Sequence, residues 1–168
     1  MPVTNDELRR RTFERAVKLL AAKPRSIAEL RERLLQAKGI NSEIVETVIS
    51  RLKEYGYLND ERFAFGYASY KVKQRPVGRR RLERDLKLKK VDNSVANEAL
   101  ELVYTEISEE QLIDQAIAKR LRIRGRPKKR AETKSLFDHL LRQGFQFELV
   151  SEKVRALATD FTDDTDVR

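Results

Sequence analysis

The sequence predicts an all-α protein made of three tandem three-helix repeats that form an elongated, curved array. Two observations lead to this prediction. The 168 residues are rich in Glu, Lys, Arg, Leu and Ala and include only 6 Gly and 4 Pro, a composition that favours helices. A pattern of apolar residues also recurs about every fifty residues. Such repeats bury their apolar faces against neighbours, which favours an array over a compact bundle of similar hairpins.

The first helix of each repeat has an apolar pair four residues apart and is followed by a basic segment that contains proline. The pairs are Phe13 with Val17, Phe63 with Tyr67 and Ile113 with Ile117. Proline cannot continue a helix, and it pushes the preceding residue out of the helical region. Each first helix should therefore end before its proline, which is Pro24, Pro76 or Pro127.

The second helix of each repeat ends in a cap that requires a left-handed residue. The three copies of the cap are Leu35, Gly39, Ile40; Leu86, Lys90, Val91; and Leu140, Gly144, Phe145. Glycine adopts this conformation cheaply, and the next residue packs back on the last turn, as Ile40 would on Leu35. In the middle copy Lys90 should adopt a positive φ, at about 1 kcal/mol or more relative to glycine.

The third helix of each repeat continues the same register with an apolar face. The aligned residues are Ile40, Ile44, Val45, Ile49, Leu52; Val91, Val95, Ala96, Leu100, Val103; and Phe145, Leu149, Val150, Val154, Leu157. Their spacing is that of one side of a helix. Because every aligned position is apolar, chance is a poor explanation for the repeat.

Capping residues mark the junctions between these helices. Ser26 and Glu29 have the spacing of a capping box at the start of a second helix. Gly56 closes a third helix, and either Asn59 or Asp60 caps the helix that follows. The predicted organisation is an N-terminal arm, three repeats and an acidic tail expected to be disordered, at residues 1–8, 9–58, 59–107, 108–159 and 160–168.

Charge and composition narrow the classes of function. The net charge of +9 and the isoelectric point near 9.8 indicate a polyanion or an acidic protein surface as partner. The sequence has no Cys, which excludes disulfides and thiolate metal sites. It has no apolar run of membrane-spanning length, and its first residues lack a hydrophobic signal segment. We therefore expect a soluble cytoplasmic protein without a membrane partner.

The sequence gives no pattern of catalytic residues. The single histidine, His139, lies among leucines and is more typical of a packed or solvated side chain than of a ligand. No His, Asp and Glu cluster has metal spacing, and no glycine-rich loop is present to hold phosphates. We expect neither an enzyme nor a cofactor, a metal or a small-molecule substrate.

A basic stripe is predicted on the helix from Gly78 to Lys90. At 100° per residue, Leu82 and Leu86 face the core, and Arg80, Arg84 and Lys87 share the opposite side. The sister helices carry no such row, since moving the stripe forward by 54 positions gives Lys134, Asp138 and Leu141. A row that belongs to one repeat favours a functional role over a merely solvated face.

A second basic segment, KRLRIRGRPKKR, has eight basic residues and no acid. Unpaired Arg and Lys give sequence-independent affinity for phosphates. Tyr67 and Tyr70 are more typical of core and shoulder residues than of base-stacking platforms, and nothing indicates base-specific reading. The candidate contact residues are Arg75, Arg79, Arg80, Arg81, Arg84, Lys87, Arg122, Arg124, Arg126, Lys128, Lys129 and Arg130.

Three stretches, RSIAELRERLLQAKGI, YGYLNDERFAFGYA and GRRRLERDLKLKKV, resemble the RecX regulatory proteins of bacteria. The family's Gly-Tyr-Leu-Asp/Asn-Asp-x-Arg-Phe-Ala junction is matched by residues 56–64, and LLRQGF matches its third repeat. The resemblance covers residues 13–157. One departure is Lys90, where the family usually has Gly.

The resemblance implies a modulator of the RecA recombinase that binds along the RecA–DNA filament. Such proteins act in DNA repair, recombination and the SOS response, and usually inhibit strand exchange, ATP hydrolysis and coprotease activity. The implied partners are the RecA filament and single- or double-stranded DNA, bound without sequence specificity. The alternative is a basic helical nucleic-acid-binding protein that acts without RecA. The residues leave open whether the basic side chains face DNA or RecA.

Overall fold

A computed structural model describes residues 4–159 of the protein. Within this range the chain forms nine α-helices and no β-strand, which confirms the all-α prediction. The predicted acidic tail, residues 160–168, lies outside the described residues. The helices are α1 Asn5–Ala22, α2 Ile27–Leu35, α3 Ser42–Glu54, α4 Asp60–Gln74, α5 Arg79–Leu88, α6 Asn93–Glu106, α7 Glu109–Arg124, α8 Arg130–Arg142 and α9 Phe147–Thr159.

The first helix begins earlier than the sequence indicated. The Thr4 side chain caps α1 by accepting a hydrogen bond from the Glu7 N–H at 3.3 Å. Asp6 and Glu7 lie in the first turn, where a carboxylate is favoured by the positive end of the helix dipole. Residues 5–8, which we assigned to an N-terminal arm, therefore form the start of α1.

The chain divides into two compact units, each made of two segments. The first comprises Met1–Gly66 and Leu86–Ala99, and the second comprises Tyr67–Asp85 and Leu100–Arg168. In the first unit α1, α2 and α3 pack around a buried apolar cluster, and in the second α7, α8 and α9 pack together. Because this division passes through α4, α5 and α6, the repeat boundaries that we placed at 58/59 and 107/108 stay predictions.

The predicted apolar register of the third helices is confirmed. None of the aligned side chains of α3, α6, α9 and their preceding caps is exposed. Val45, Ala96 and Val150 occupy one register position, and all three are buried. Burial of a valine side chain contributes about 1.5–3 kcal/mol. The apolar face of the third helix therefore accounts for much of the stability of each unit.

The left-handed caps form in the second and third copies as the sequence predicted. Lys90 has a φ of 56°, and the Val91 N–H donates to the Leu86 carbonyl at 3.2 Å. Gly144 has a φ of 91°, and the Phe145 N–H donates to the Leu140 carbonyl at 3.4 Å. Both caps thus have the Schellman hydrogen bond from C″ to C3.

The cap of the first copy differs from the prediction. Gly39 does have a positive φ of 80°, but the Ile40 N–H donates to the Ala37 carbonyl at 3.2 Å. Leu35 is 39% exposed, whereas Leu34 is fully buried. The expected cap of Ile40 on Leu35 was therefore wrong: Leu34, one helical turn after the buried Leu30, enters the core instead, and Ile40 packs against the cluster that contains Leu34.

The junction residues cap two different helices. The Ser26 and Glu29 capping box is present at the start of α2. Asn59 caps α4 by accepting the Arg62 N–H at 2.7 Å. Asp60 instead accepts the Ile27 N–H at 2.8 Å, at the start of α2. Burial raises the pKa of Asp60, and the hydrogen bond from Ile27 partly offsets this effect.

The second helices of successive repeats, α2, α5 and α8, contact one another end to end. The start of α2 meets the end of α5 in the first unit, and the start of α5 meets the end of α8 in the second. In the first unit the Ser26 hydroxyl, before α2, donates to the Lys89 carbonyl, after α5, at 2.6 Å. In the second unit the Gly78 N–H, before α5, donates to the Gln143 carbonyl, after α8, at 3.0 Å. The Arg80 N–H donates to the Gly144 carbonyl at 3.1 Å. Each contact joins the positive end of one helix dipole to the negative end of another.

This contact is tighter in the second unit, where it requires two glycines. A Cβ atom on Gly78 would overlap the backbone of Gly144, and a Cβ atom on Gly144 would overlap the backbone of Arg81. A Cβ atom on Gly39 would meet nothing. Gly144 is therefore required both by its positive φ and by the close approach of α5, whereas Gly39 is favoured by its φ alone.

We expect Gly144→Ala to destabilise the protein far more than Gly39→Ala. The strained φ costs about 1–2 kcal/mol at either position. The overlap with α5 adds about 1–3 kcal/mol at position 144 only. Urea denaturation followed by circular dichroism measures both losses. Equal losses for the two variants would contradict the close approach of α5 to the end of α8.

We expect Lys90→Gly to stabilise the protein by up to about 1 kcal/mol, because glycine adopts the positive φ without strain. The substitution also removes the ion pair of Lys90 with Glu32, whose two side chains are exposed and therefore contribute little. Lys90→Ala is the control, since it removes the ion pair and keeps the strain. Thermal melts in which glycine is no better than alanine would contradict the cap.

Candidate functional site

The basic stripe lies on the exposed side of α5, as predicted. Leu82 and Leu86 are fully buried, and Arg80, Arg84 and Lys87 are exposed. Within residues 4–159 none of these three cations forms an ion pair with a carboxylate. Their positive charges are therefore available to an external anion.

The two acids of this helix are directed elsewhere. Glu83 accepts a hydrogen bond from the Arg79 guanidinium at 3.0 Å. The Asp85 carboxylate accepts a hydrogen bond from the Tyr67 hydroxyl at 3.2 Å. Neither carboxylate therefore neutralises the stripe, which agrees with the flanking positions that the helical spacing predicted.

Arg79, one of the predicted contact residues, has a structural role. Its guanidinium bonds Glu83 and also Glu101 at 2.8 Å, and its side chain is only 20% exposed. Burial lowers the pKa of Arg79, but the two carboxylates outweigh it and raise the pKa overall. Arg79 thus ties the start of α5 to α6, and its contact with a partner stays a prediction.

A half-buried polar cluster supports Arg79. The Glu109 carboxylate accepts the Arg79 N–H at 3.1 Å, which caps α5 from the start of α7. The Tyr104 hydroxyl donates to the Val77 carbonyl at 2.9 Å. Burial raises the pKa of both Glu109 and Tyr104. Sequence reasoning missed Glu109 and Tyr104, because the residues that they contact lie about thirty positions away.

Arg81 and Arg75 lie beside the stripe in different settings. Arg81 is half-buried, its backbone lies against Gly144, and its guanidinium donates to the Arg142 carbonyl at 3.4 Å. Arg75 is exposed directly after α4. Of this predicted group, the arrangement leaves Arg75, Arg80, Arg84 and Lys87 with exposed side chains.

The second basic segment forms the turn between α7 and α8. Gly125, with a φ of 76°, ends α7, and α8 begins at Arg130. The Glu132 carboxylate accepts the Lys128 N–H at 2.6 Å, which lowers the pKa of Glu132. The predicted cations are all exposed and form no ion pair within the described range: Arg122, Arg124, Arg126, Lys128, Lys129 and Arg130.

Two shallow cavities flank this turn at Pro127. One, of about 260 Å³, is lined by Lys128, Lys129, Arg130 and the buried Leu136 among others. The other, of about 210 Å³, is lined by Arg120, Arg124 and Arg126 among others. The turn therefore offers cations together with apolar surface, an arrangement suited to binding a polyanion.

The described residues hold no arrangement typical of a metal centre. Among residues 4–159, no three His, Cys, Asp or Glu side chains are close enough to hold a metal ion. His139 is partly buried, and burial, followed by the charges of Arg120 and Arg142, lowers its pKa. None of the helices described is long and apolar enough to span a membrane.

Taken together, the all-α repeat fold and its exposed cations define a helical-repeat protein with two exposed basic segments. Residues 13–52 match the family model described as the first three-helix domain of RecX, and residues 59–100 match the second three-helix domain. The chain belongs to the RecX family, whose curated members are named as regulatory proteins.

Several relatives, each named "Regulatory protein RecX", support this assignment. The Amycolatopsis mediterranei protein is 31% identical over 148 residues, which is 86% of this chain and 83% of the relative. The Treponema pallidum (strain Nichols) protein is 38% identical over 110 residues, 66% of either chain. The Bacillus licheniformis protein is 31% identical over 155 residues, and this chain spans only 56% of its length.

Solved structures support the fold. The crystal structure of RecX from Lactobacillus salivarius superposes with a TM-score of 0.78, covering 90% of this chain and 97% of that one. The sequence identity is 18%. At this level of identity the likeness bears on the fold alone, and it confirms the predicted all-α repeat fold.

We expect Arg79→Ala to destabilise the protein by about 1–3 kcal/mol, because it removes a largely buried guanidinium together with its charge-assisted hydrogen bonds to Glu83 and Glu101. Arg80→Ala, one residue along the helix, removes an exposed and unpaired charge and should change stability by less than about 0.5 kcal/mol. Thermal melts of the two variants test the assignment. A stable Arg79→Ala protein would show that the polar cluster does not depend on the guanidinium.

Proposed function

We propose that this protein is a non-enzymatic regulator that binds the RecA–DNA filament and inhibits its recombinase, ATPase and coprotease activities. The observation that carries the proposal is the row of exposed, unpaired cations on α5 in a chain of the RecX family. Membership of a regulatory family supports RecA as the target, and the charge of the row supports an anionic surface on the filament.

The sister helix α8 supports a specific role for the α5 stripe. At the equivalent positions of α8, Lys134 is paired with Asp138 at 3.0 Å, and Leu141 is partly buried. The repeat fold therefore forms without an unpaired basic row at this place. A row that the fold does not need, and that increases self-repulsion, is better explained by a partner than by packing.

Phosphate groups are the anions that this surface fits best. The net charge is +9, and neither basic segment provides an Asn or Gln row that could read base edges. Contacts to the phosphate backbone give affinity without sequence specificity. The alternative anions are acidic side chains of RecA, which would bind the same cations by charge-assisted hydrogen bonds.

A second candidate function is binding of nucleic acid without RecA. The turn between α7 and α8 favours it, because six exposed cations and two shallow cavities are clustered there independently of α5. DNA-dependent ATP hydrolysis by RecA, measured with and without a saturating amount of this protein, separates the two candidates. Inhibition supports the filament regulator, and unchanged hydrolysis together with tight DNA binding supports the alternative.

We expect replacement of Arg80, Arg84 and Lys87 by Ala to weaken filament binding while the melting temperature stays near that of the wild type. Exposed charges contribute little to stability, and removal of each charge-assisted hydrogen bond weakens binding by about 1–3 kcal/mol. If the stripe binds phosphates, the slope of log affinity against log salt should fall by about one unit for each phosphate that is no longer neutralised. If it binds RecA carboxylates, affinity for bare DNA should stay unchanged.

The matched control replaces Arg10, Lys18 and Lys38, which are also exposed and outside the observed ion pairs, by Ala. Both triple variants lower the net charge equally, so a general charge effect would weaken binding in both. Filament and DNA affinities of the stripe variant that match the wild type would show that the stripe is merely solvated.

A further inference from the structure

An exposed aromatic cluster lies at the connection between α3 and α4, in the first unit. Tyr55 and Tyr57 are 55% and 58% exposed, and their ring centroids are 6.3 Å apart. Tyr55 also contacts the edge of Phe13 at 6.0 Å. Tyr70 and Phe147 are equally open, at 60% and 52%, so the grouping of Tyr55 with Tyr57, and not exposure alone, distinguishes this cluster.

Two guanidinium groups lie beside the cluster. Arg51 lies 5.4 Å from the centre of the Phe13 ring and 5.8 Å from that of Tyr55, and it donates to the Tyr55 hydroxyl at 3.2 Å. Arg62 donates to the Gly56 carbonyl at 2.5 Å, beside the two tyrosines. Arg51 thus orders the Tyr55 ring beside positive charge, and the Tyr57 ring contacts that of Tyr55. A ring ordered in advance loses less entropy when a ligand binds.

The fold does not require tyrosine at either position. Gly56 has a φ of 72°, and the Tyr57 N–H donates to the Leu52 carbonyl at 2.9 Å, a cap that uses only the backbone of residue 57. The side chain that enters the core from this connection is Leu58. In the next repeat the connection between α6 and α7 is Ile107 and Ser108, so the repeat forms without aromatic residues there.

We propose that Tyr55 and Tyr57, with Arg51, form a stacking platform for the bases of single-stranded nucleic acid. Every base has a π-face, so stacking on tyrosine and on guanidinium planes is sequence-tolerant. This matches the basic surfaces on α5 and after α7, which offer phosphate contacts and no base reading. The inference rests on the proposed binding of DNA and names the chemical group that this cluster recognises, the base rather than the phosphate.

The test compares two oligonucleotides of equal length, oligo(dT) and its abasic counterpart, which have the same phosphates. The wild type should bind oligo(dT) about tenfold more tightly, within the range measured for base–aromatic stacking. The double variant Tyr55→Leu, Tyr57→Leu should lose this preference and keep the wild-type affinity for the abasic strand. Because the chain has 5 Tyr and no Trp, quenching of tyrosine emission by oligo(dT) gives a second readout.

Two further variants control the experiment. Tyr70→Leu changes a tyrosine that is 60% exposed on α4 and should bind both strands like the wild type. The double variant Tyr55→Phe, Tyr57→Phe keeps both rings and should retain the preference for oligo(dT). The phenylalanine variant also keeps the test decisive if the leucine variant does not fold. Loss of its preference for oligo(dT) over the abasic strand would overturn ring stacking.

The outcomes separate this inference from the proposed function. Equal affinity of the wild type for both strands would overturn the stacking platform and leave phosphate binding intact. Failure to bind either strand would overturn DNA binding and the platform together. A leucine variant that binds oligo(dT) normally but binds the RecA filament weakly would also overturn it, since the cluster would then be a protein contact.

Discussion

The structure depends on a hydrogen-bonded contact between helix ends that occurs once in each unit. The free donors at the start of α2 and α5 find acceptors at the ends of α5 and α8, respectively. Each contact satisfies a carbonyl that a helix leaves unpaired at its end, and the contact in the second unit also satisfies N–H groups at the start of α5. The two contacts differ in their chemistry, since Ser26 uses a hydroxyl, whereas Gly78 uses its backbone N–H and allows the backbones to touch.

The same contact determines where the basic stripe of α5 lies. Pinning Gly78 and the Arg80 N–H to the end of α8 fixes the helix at its first turn. Leu82 and Leu86 then enter the core, which leaves the opposite face of α5 exposed. The contact that stabilises the second unit therefore also presents the candidate binding surface. Binding residues on a rigid helix lose little entropy when a partner binds.

Chemically similar residues have different roles in this protein because their surroundings differ. Arg79 and Arg80 are neighbours, yet one is held by two carboxylates and the other is unpaired within residues 4–159. Likewise Lys90 and Gly144 occupy aligned caps, but only Gly144 faces a helix backbone with no room for a side chain. Counting basic residues along the sequence therefore overestimates the positive charge that is available to a partner, since a cation such as Arg79 is already bound to internal carboxylates.

The sequence alone determined the helices, the positive φ of Lys90 and the outward direction of Arg80, because these follow from spacing of a few residues along one helix. Only the tertiary structure decided that Asp60 caps α2, that Arg79 is held by Glu101 and that Gly144 touches α5. The partners in these contacts are separated by 22 to 63 positions in the chain. Local periodicity does not encode which distant residues meet, because that depends on how the packed helices satisfy their polar groups and fill space.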